Sequence, residues 1–363
     1  MTNKKLTILG IVAVAMIIWA AAQSRISNRP SEQLSGPAYL IQGLDSADIA
    51  GIAIGTGENQ LTLKKTSHGE FVVVNKDNYP AMTSRINDLL TSCLDIKTIE
   101  LCTDRKSNHQ TLGVSEENAA NIVRFLKSDS SVITGVVFGN DKTTGPGSYV
   151  RLVGDDRVYV TLDRPYIRTQ PIDYIDQELF SIKKDDIESV QVSYPQGSYT
   201  LRSDANGTNI VLEELAEEKQ LKGSVYKDVF NALTLMRFDD VSSRSKESQQ
   251  ADFDSKYVCR LKDSTVYTLQ IARREGKTLV MCDAQFTDTT PVTKEKTVES
   301  DEQLKIKEAR LLARDNAKDF AAKHNGWVYE IPEYKAKNLI QKLDDLIEDK
   351  TPPQETPGTS ESE

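Results

Sequence analysis

Ile49-Ala-Gly-Ile-Ala-Ile54, followed by Leu61-Thr-Leu-Lys64, returns 138 residues later as Ile187-Glu-Ser-Val-Gln-Val192 followed by Tyr199-Thr-Leu-Arg202. Apolar residues at alternating positions mark a strand with one buried face. In the first copy the turn Ser67-His68-Gly69-Glu70 leads into Phe71-Val-Val-Val74, and in the second Asn206-Gly207 leads into Ile210-Val-Leu212. Asn-Gly tolerates the positive φ of a tight hairpin, so a returning strand is expected in each copy.

Outward from these strands the correspondence continues. Ile86, Leu89, Leu90 and Cys93 recur at i, i+3, i+4 and i+7, one face of an amphipathic helix. Tyr226, Val229, Phe230 and Leu233 repeat that spacing. Arg124-Phe-Leu-Lys127 and Arg260-Leu-Lys262 then open hairpins that return through Val136-Val-Phe138 and Leu269-Gln-Ile271. The first copy adds Tyr149 to Val153 and Arg157 to Leu162, joined at Gly154-Asp155-Asp156, and the second has Thr278 to Cys282. Several matches in one order indicate an internal duplication. The expected fold class is α+β: two tandem related modules, each a mostly antiparallel sheet with a packed helix. Module 1 is placed at 46–164, an aromatic, Pro-containing connector at 165–182 and module 2 at 183–290.

The region 291–350 reads as helical. Val298 to His324 is a charged helix with a thin apolar side, ended by Asn325-Gly326. Trp327 to Ile331 reads as a short strand, and Pro332 opens a final helix that buries Leu339, Ile340, Leu343, Leu346 and Ile347. The polar, Pro-rich tail at 351–363 reads as disordered.

Ahead of both modules, Leu6 to Ala22 is an unbroken apolar run preceded by Lys4 and Lys5. As a helix it spans roughly 25 Å, the lower limit for crossing a bilayer. It has two readings, a retained transmembrane anchor or a signal peptide cut before Gln23, and its length favours retention. Flanking charges are nearly balanced; Trp19 as an interfacial residue favours the N-terminus inside. Residues 1–5 are then cytoplasmic and 23–45 a juxtamembrane linker, with the bulk of the chain outside the cytoplasm on the inner membrane.

Hydrophobic residues at 38% and charged residues at 27% fit a globular region. A net charge of −9 argues against nucleic acid or anionic lipid as the main partner, and with no basic stripe a nucleic-acid role is set aside. Cys93, Cys102, Cys259 and Cys282 are too scattered for a disulfide scaffold, and they read as small buried apolar side chains. If the region is extracytoplasmic, Cys259–Cys282 across neighbouring strands is the pair to test. Without a CxxC, and with only His68, His109 and His324, no metal site is expected.

Gly55-Thr-Gly57 and Gly139 to Gly147 match neither a dinucleotide fingerprint nor a phosphate loop, so they read as turns and no cofactor is expected. The second is long and leads into Tyr149-Val-Arg151, which makes Gly145, Gly147, Tyr149 and Arg151 a candidate binding loop. Asp155-Asp156 and Asp185-Asp186 sit in turns, and Asn206-Gly-Thr208 is a formal glycosylation sequon. His324 reads as a helix-end cation. No catalytic constellation emerges, so an enzyme is not expected.

Several segments in order carry a family resemblance: the N-terminal apolar anchor, Leu61-Thr-Leu-Lys-Lys65, Tyr79-Pro80-Ala81 before the helix, Thr111-Leu-Gly-Val114, Val136-Val-Phe-Gly-Asn140, Ser148 to Leu162 and the segment from Gly326 to Ile347. The set resembles the bacterial "domain of unknown function 4340" family across nearly the whole chain, with Pro291 to Lys323 as an insertion-like departure. The resemblance implies a membrane-anchored protein often encoded beside gliding-motility-type ABC transporter components. It supplies no activity, ligand or catalytic residues. The expected function is a single-pass extracytoplasmic accessory or scaffold protein that binds components of an ABC-type transport system. The alternative is a non-catalytic module whose groove holds a peptide, glycan or lipid.

Overall fold

The computed structural model describes residues 36–204, 209–247, 250–293 and 300–350. The apolar run Leu6 to Ala22, the Asn206-Gly207 turn with its sequon, and the tail from Thr351 lie outside the described residues. No helix among the described residues is long and apolar enough to cross a membrane. The chain divides into two compact units between Tyr174 and Ile175.

Unit 1 holds β1 (Ala38–Tyr39), β2 (Gly51–Ile54), β3 (Leu61–Lys65), β4 (Phe71–Val73), β5 (Tyr79–Pro80), α1 (Thr83–Leu94), β6 (Lys97–Thr103), β7 (Asn121–Leu126), β8 (Val132–Asp141), β9 (Ser148–Leu152) and β10 (Val158–Thr161). All its strands join one antiparallel sheet in the order β1-β6-β10-β9-β8-β7-β2-β3-β4-β5. Ile52, Leu63, Phe125 and Val137 at its centre are fully buried. Helix α1 presents Ile86, Leu89 and Cys93 inward, as their spacing requires. Its entry is held by Met82, whose N–H donates to the Tyr174 carbonyl at 2.7 Å.

Unit 2 holds β11 (Glu178–Phe180), β12 (Ile187–Tyr194), β13 (Gly197–Ser203), β14 (Ile210–Leu212), β15 (Lys219–Leu221), α2 (Val225–Phe230), β16 (Met236–Arg237), β17 (Asp240–Ser243) and α3 (Arg244–Glu247). It continues with β18 (Ser255–Leu261), β19 (Thr265–Arg274), β20 (Lys277–Phe286), α4 (Asp301–His324), β21 (Trp327–Ile331), α5 (Glu333–Leu339), α6 (Leu343–Leu346) and β22 (Ile347–Asp349). Its main sheet runs β14-β13-β12-β18-β19-β20-β21-β17. Reversed and stripped of its edge strands β5 and β1, the first sheet reads β4-β3-β2-β7-β8-β9-β10-β6. The two series match strand for strand. Register agrees as well: Ile52 faces Leu63 and Ile54 faces Leu61, as Val190 faces Leu201 and Val192 faces Tyr199.

The units part company between the sixth and seventh strands of the shared series. A short turn joins β9 to β10, whereas the connection from β20 to β21 contains α4. Ser300 and Gln303 close a capping box at the start of α4, satisfying donors that the first helical turn leaves free. The helix lies along β19 and β20.

Two helices are shorter than their apolar spacing predicts. Helix α2 stops at Phe230: the Asn231 side chain joins its own backbone N–H on the Lys227 carbonyl (2.8 and 3.0 Å), and the Ala232 N–H turns to the Val229 carbonyl at 3.2 Å. The final helix breaks after Leu339 and ends as β22, which pairs with β15. At the break, the Tyr199 hydroxyl donates to the Gln341 carbonyl (2.9 Å) and the Tyr194 hydroxyl accepts from the Leu343 N–H (3.1 Å). Backbone groups freed by the break are thereby paired.

Candidate functional site

The proposed loop of unit 1 divides into parts with different roles. Gly145 lies in the β8–β9 turn with open space around it. Gly147 has a φ of +100°, and a Cβ there would collide with the Thr161 carbonyl, so glycine is needed for the turn to close on β10. Tyr149 packs half-buried against the cluster of Val114, Ile122, Val137 and Val158.

Arg151 is only 6% exposed and points away from solvent. Its Nε donates to the Val114 carbonyl at 2.7 Å, and its Nη1 donates to the carbonyls of Leu152 (3.1 Å) and Asp155 (3.4 Å). Burial depresses its pKa, while Glu116, Asp156 and Asp155 act in the opposite direction. All three of these bonds go to backbone carbonyls, so Arg151 ties a loop to the sheet rather than presenting a cation to a ligand. That corrects the binding-loop expectation at Arg151.

The tied loop carries Thr111-Leu-Gly-Val114. Asn140 donates its backbone N–H to the Leu112 carbonyl (3.0 Å) and its side-chain amide to the Thr111 carbonyl (3.3 Å). His109 is buried, with its Nε2 2.9 Å from the Asp156 carbonyl. Three of the motifs that carry the family resemblance thus meet in one packing node. Asp155, beside it, is held below the usual carboxylate range by hydrogen bonds from Arg157, which reaches it at 2.7 Å. Asp186 contributes its carbonyl to the Lys262 N–H, within the turn that the Asp185-Asp186 pair was expected to form.

The cysteine pair is also corrected. Cys259 lies opposite Tyr267 and Cys282 opposite Leu269, so β19 runs between their strands. Two strand spacings amount to about 10 Å, beyond the ~7 Å Cα limit of a disulfide. All four cysteines are free thiols. Desolvation pushes the Cys93 and Cys259 thiols up to about 12 and raises Cys282 as well, the reverse of what a nucleophile needs.

His324 is not a helix-end cation. It is buried at the C-terminus of α4, where desolvation, aided by Lys323 and opposed by Asp176, lowers its pKa to about 4. Its Nδ1 shares a 2.7 Å hydrogen bond with the Tyr329 hydroxyl, and its ring lies 4.3 Å from that of Phe320, tilted by 36°. Phe320 in turn packs on Phe180 and Tyr267, both 5.0 Å away. The neutral imidazole belongs to the aromatic seam that fixes α4 on its sheet.

Two surfaces of unit 2 have the form of binding sites. One is a cleft of about 470 Å³ over Ile271 and Ala272, with the carboxylates Asp252, Asp254 and Asp345 and the cations Arg273, Lys337 and Lys342 around it. The other is the outward side of α4. Leu304 and Leu312, 50% and 59% exposed, share one side of the helix at i and i+8. Ile306 extends the sheet-facing stripe of Ala313, Ala317 and His324, yet is 58% exposed. Helical spacing in this segment exposes the charged residues and these apolar ones alike, and tertiary context alone separates the two. No group of three or more His, Cys, Asp or Glu side chains poised for a metal occurs among the described residues.

No curated protein and no solved structure matches the chain. A family model does, over residues 72–257, which include the packing node built from Thr111-Leu-Gly-Val114, Val136-Val-Phe-Gly-Asn140 and Arg151. With just over half of its length matched, the chain belongs to the family described as Domain of unknown function (DUF4340).

Proposed function

We propose that this chain is a single-pass, membrane-tethered extracytoplasmic accessory protein, built from two related α+β modules, that binds components of an ABC-type transport system without catalysing a reaction. The tether is Leu6 to Ala22, and the transport association follows from the family resemblance. The shared strand order and register of the two sheets support descent from one duplicated module.

The observation that carries the reading is α4. It is added to a shared sheet topology, and the outward side of its N-terminal half carries Leu304 and Leu312 in water. An exposed apolar helix face rimmed by charge is the usual form of a helix-mediated protein contact. The cleft over Ile271 favours a second reading, a module that takes a peptide or another ligand bearing both charges.

The test is recovery of partners from native membranes in mild detergent, comparing the wild-type chain with a Leu304→Ser, Leu312→Ser variant. Enrichment of transporter subunits with the wild type and their loss with the variant supports the reading. Recovery of only bulk membrane protein by both contradicts it.

A further inference from the structure

We propose that unit 2 carries a phosphate-binding cleft at one end of its sheet, formed by Lys184, Lys227 and Lys262. The three lysines come from three separate segments: the turn before β12, helix α2 and the residue after β18. They line one cleft of about 270 Å³ together with the Ser203 hydroxyl and the Tyr226 ring. None of the three ammonium groups makes an ion pair among the described residues. Elsewhere in this unit cations do find carboxylates, as Arg202 does with Glu213, Lys219 with Asp349, Arg274 with Glu247, Lys277 with Glu330 and Arg310 with Asp288. Asp185 is the one carboxylate among the residues that line the cleft, and it makes no ion pair with the three lysines.

In a chain of net charge −9, three lysines against one carboxylate give the lining of this concavity an excess of positive charge. Like charges brought together repel, and an anion seated among them removes that repulsion. Lysines act as mobile point charges that suit a phosphate without demanding bidentate geometry. The Lys227 ammonium lies 5.7 Å from the centroid of the Tyr226 ring, and both residues line the cleft. The volume is below that of drug-sized sites, so the ligand is a phosphate carrying at most a small polyol. That chemistry occurs in free inorganic phosphate and in the headgroup of a glycerophospholipid. The site does not depend on the tether or on the docking role of α4.

The test measures the thermal midpoint of unit 2 in the full chain, held in nonionic detergent micelles at matched ionic strength. One arm adds about 10 mM inorganic phosphate and the other dopes the micelles with phosphatidylglycerol, with chloride as the control. A rise of about 3 °C is expected for a millimolar site. A rise with inorganic phosphate identifies the free anion as ligand, and a rise with the lipid alone identifies the headgroup. In either case the Lys184→Gln, Lys227→Gln, Lys262→Gln variant loses the rise, and the corresponding triple arginine variant keeps it. The three side chains are exposed, so the variants retain the fold. No rise in either arm, or an equal rise in the glutamine variant, overturns the proposal.

Discussion

Acidifying the protein from pH 7 to pH 5 asks the buried imidazole of His324 to take a proton. The folded state resists, because desolvation holds its pKa near 4 against 6.5 for a free histidine. A depressed folded pKa means that the unfolded chain binds the proton first. The stability associated with His324 is therefore intact above pH 6.5 and is lost as pH falls towards 4. Each unit of separation is worth about 1.4 kcal/mol, so the loss is about 2 kcal/mol at pH 5 and about 3 kcal/mol below pH 4. The comparison is with His324→Gln, which cannot titrate but keeps a hydrogen-bonding group near the Tyr329 hydroxyl. Guanidinium unfolding, followed by Trp327 fluorescence in a Trp19→Phe background, isolates unit 2 because the chain has only two tryptophans. The wild type should lose about 2 kcal/mol more than the variant between pH 7 and pH 5. Parallel losses would show that His324 is not desolvated and that the seam of Phe320, Tyr267 and Tyr329 is open to water.

Replacing Arg151 by Met should strand the buried Val114 carbonyl and cost about 2–3 kcal/mol, with faster amide exchange across residues 106–119; unchanged exchange there would refute the tie. Maleimide should label native protein at Cys102 alone and reach all four cysteines after denaturation without reductant, whereas two labelled thiols would reveal a disulfide.

The sheets were legible because their information is local. Alternation in Ile49 to Ile54 and Ile187 to Val192 fixes which side chains face the core, and the 138-residue offset carries the register of Ile52 with Leu63 over to Val190 with Leu201. Segments decided by distant partners were not legible. The break after Leu339 depends on hydroxyls of Tyr194 and Tyr199, far away in sequence. Arg151 follows the alternation of an exposed strand position, and it is buried only because the loop around Val114 covers that face. Cys259 and Cys282 looked adjacent until the meander order placed β19 between them. The lysine cleft leaves no spacing signal, since Lys184, Lys227 and Lys262 meet only after α2 and the strand ends have assembled. Apolar exposure on α4 has the same character, because Leu304 and Leu311 read alike in sequence and only packing distinguishes them.

The most direct measurement of the binding role is site-specific photocrosslinking in native membranes. A photoreactive side chain at position 312 on α4 is compared with one at exposed position 88 on α1. If α4 is the docking surface of a tethered accessory protein, position 312 gives a discrete adduct with a transport-system subunit and position 88 does not. Adducts of the same pattern from both positions, or none from position 312, would contradict that role.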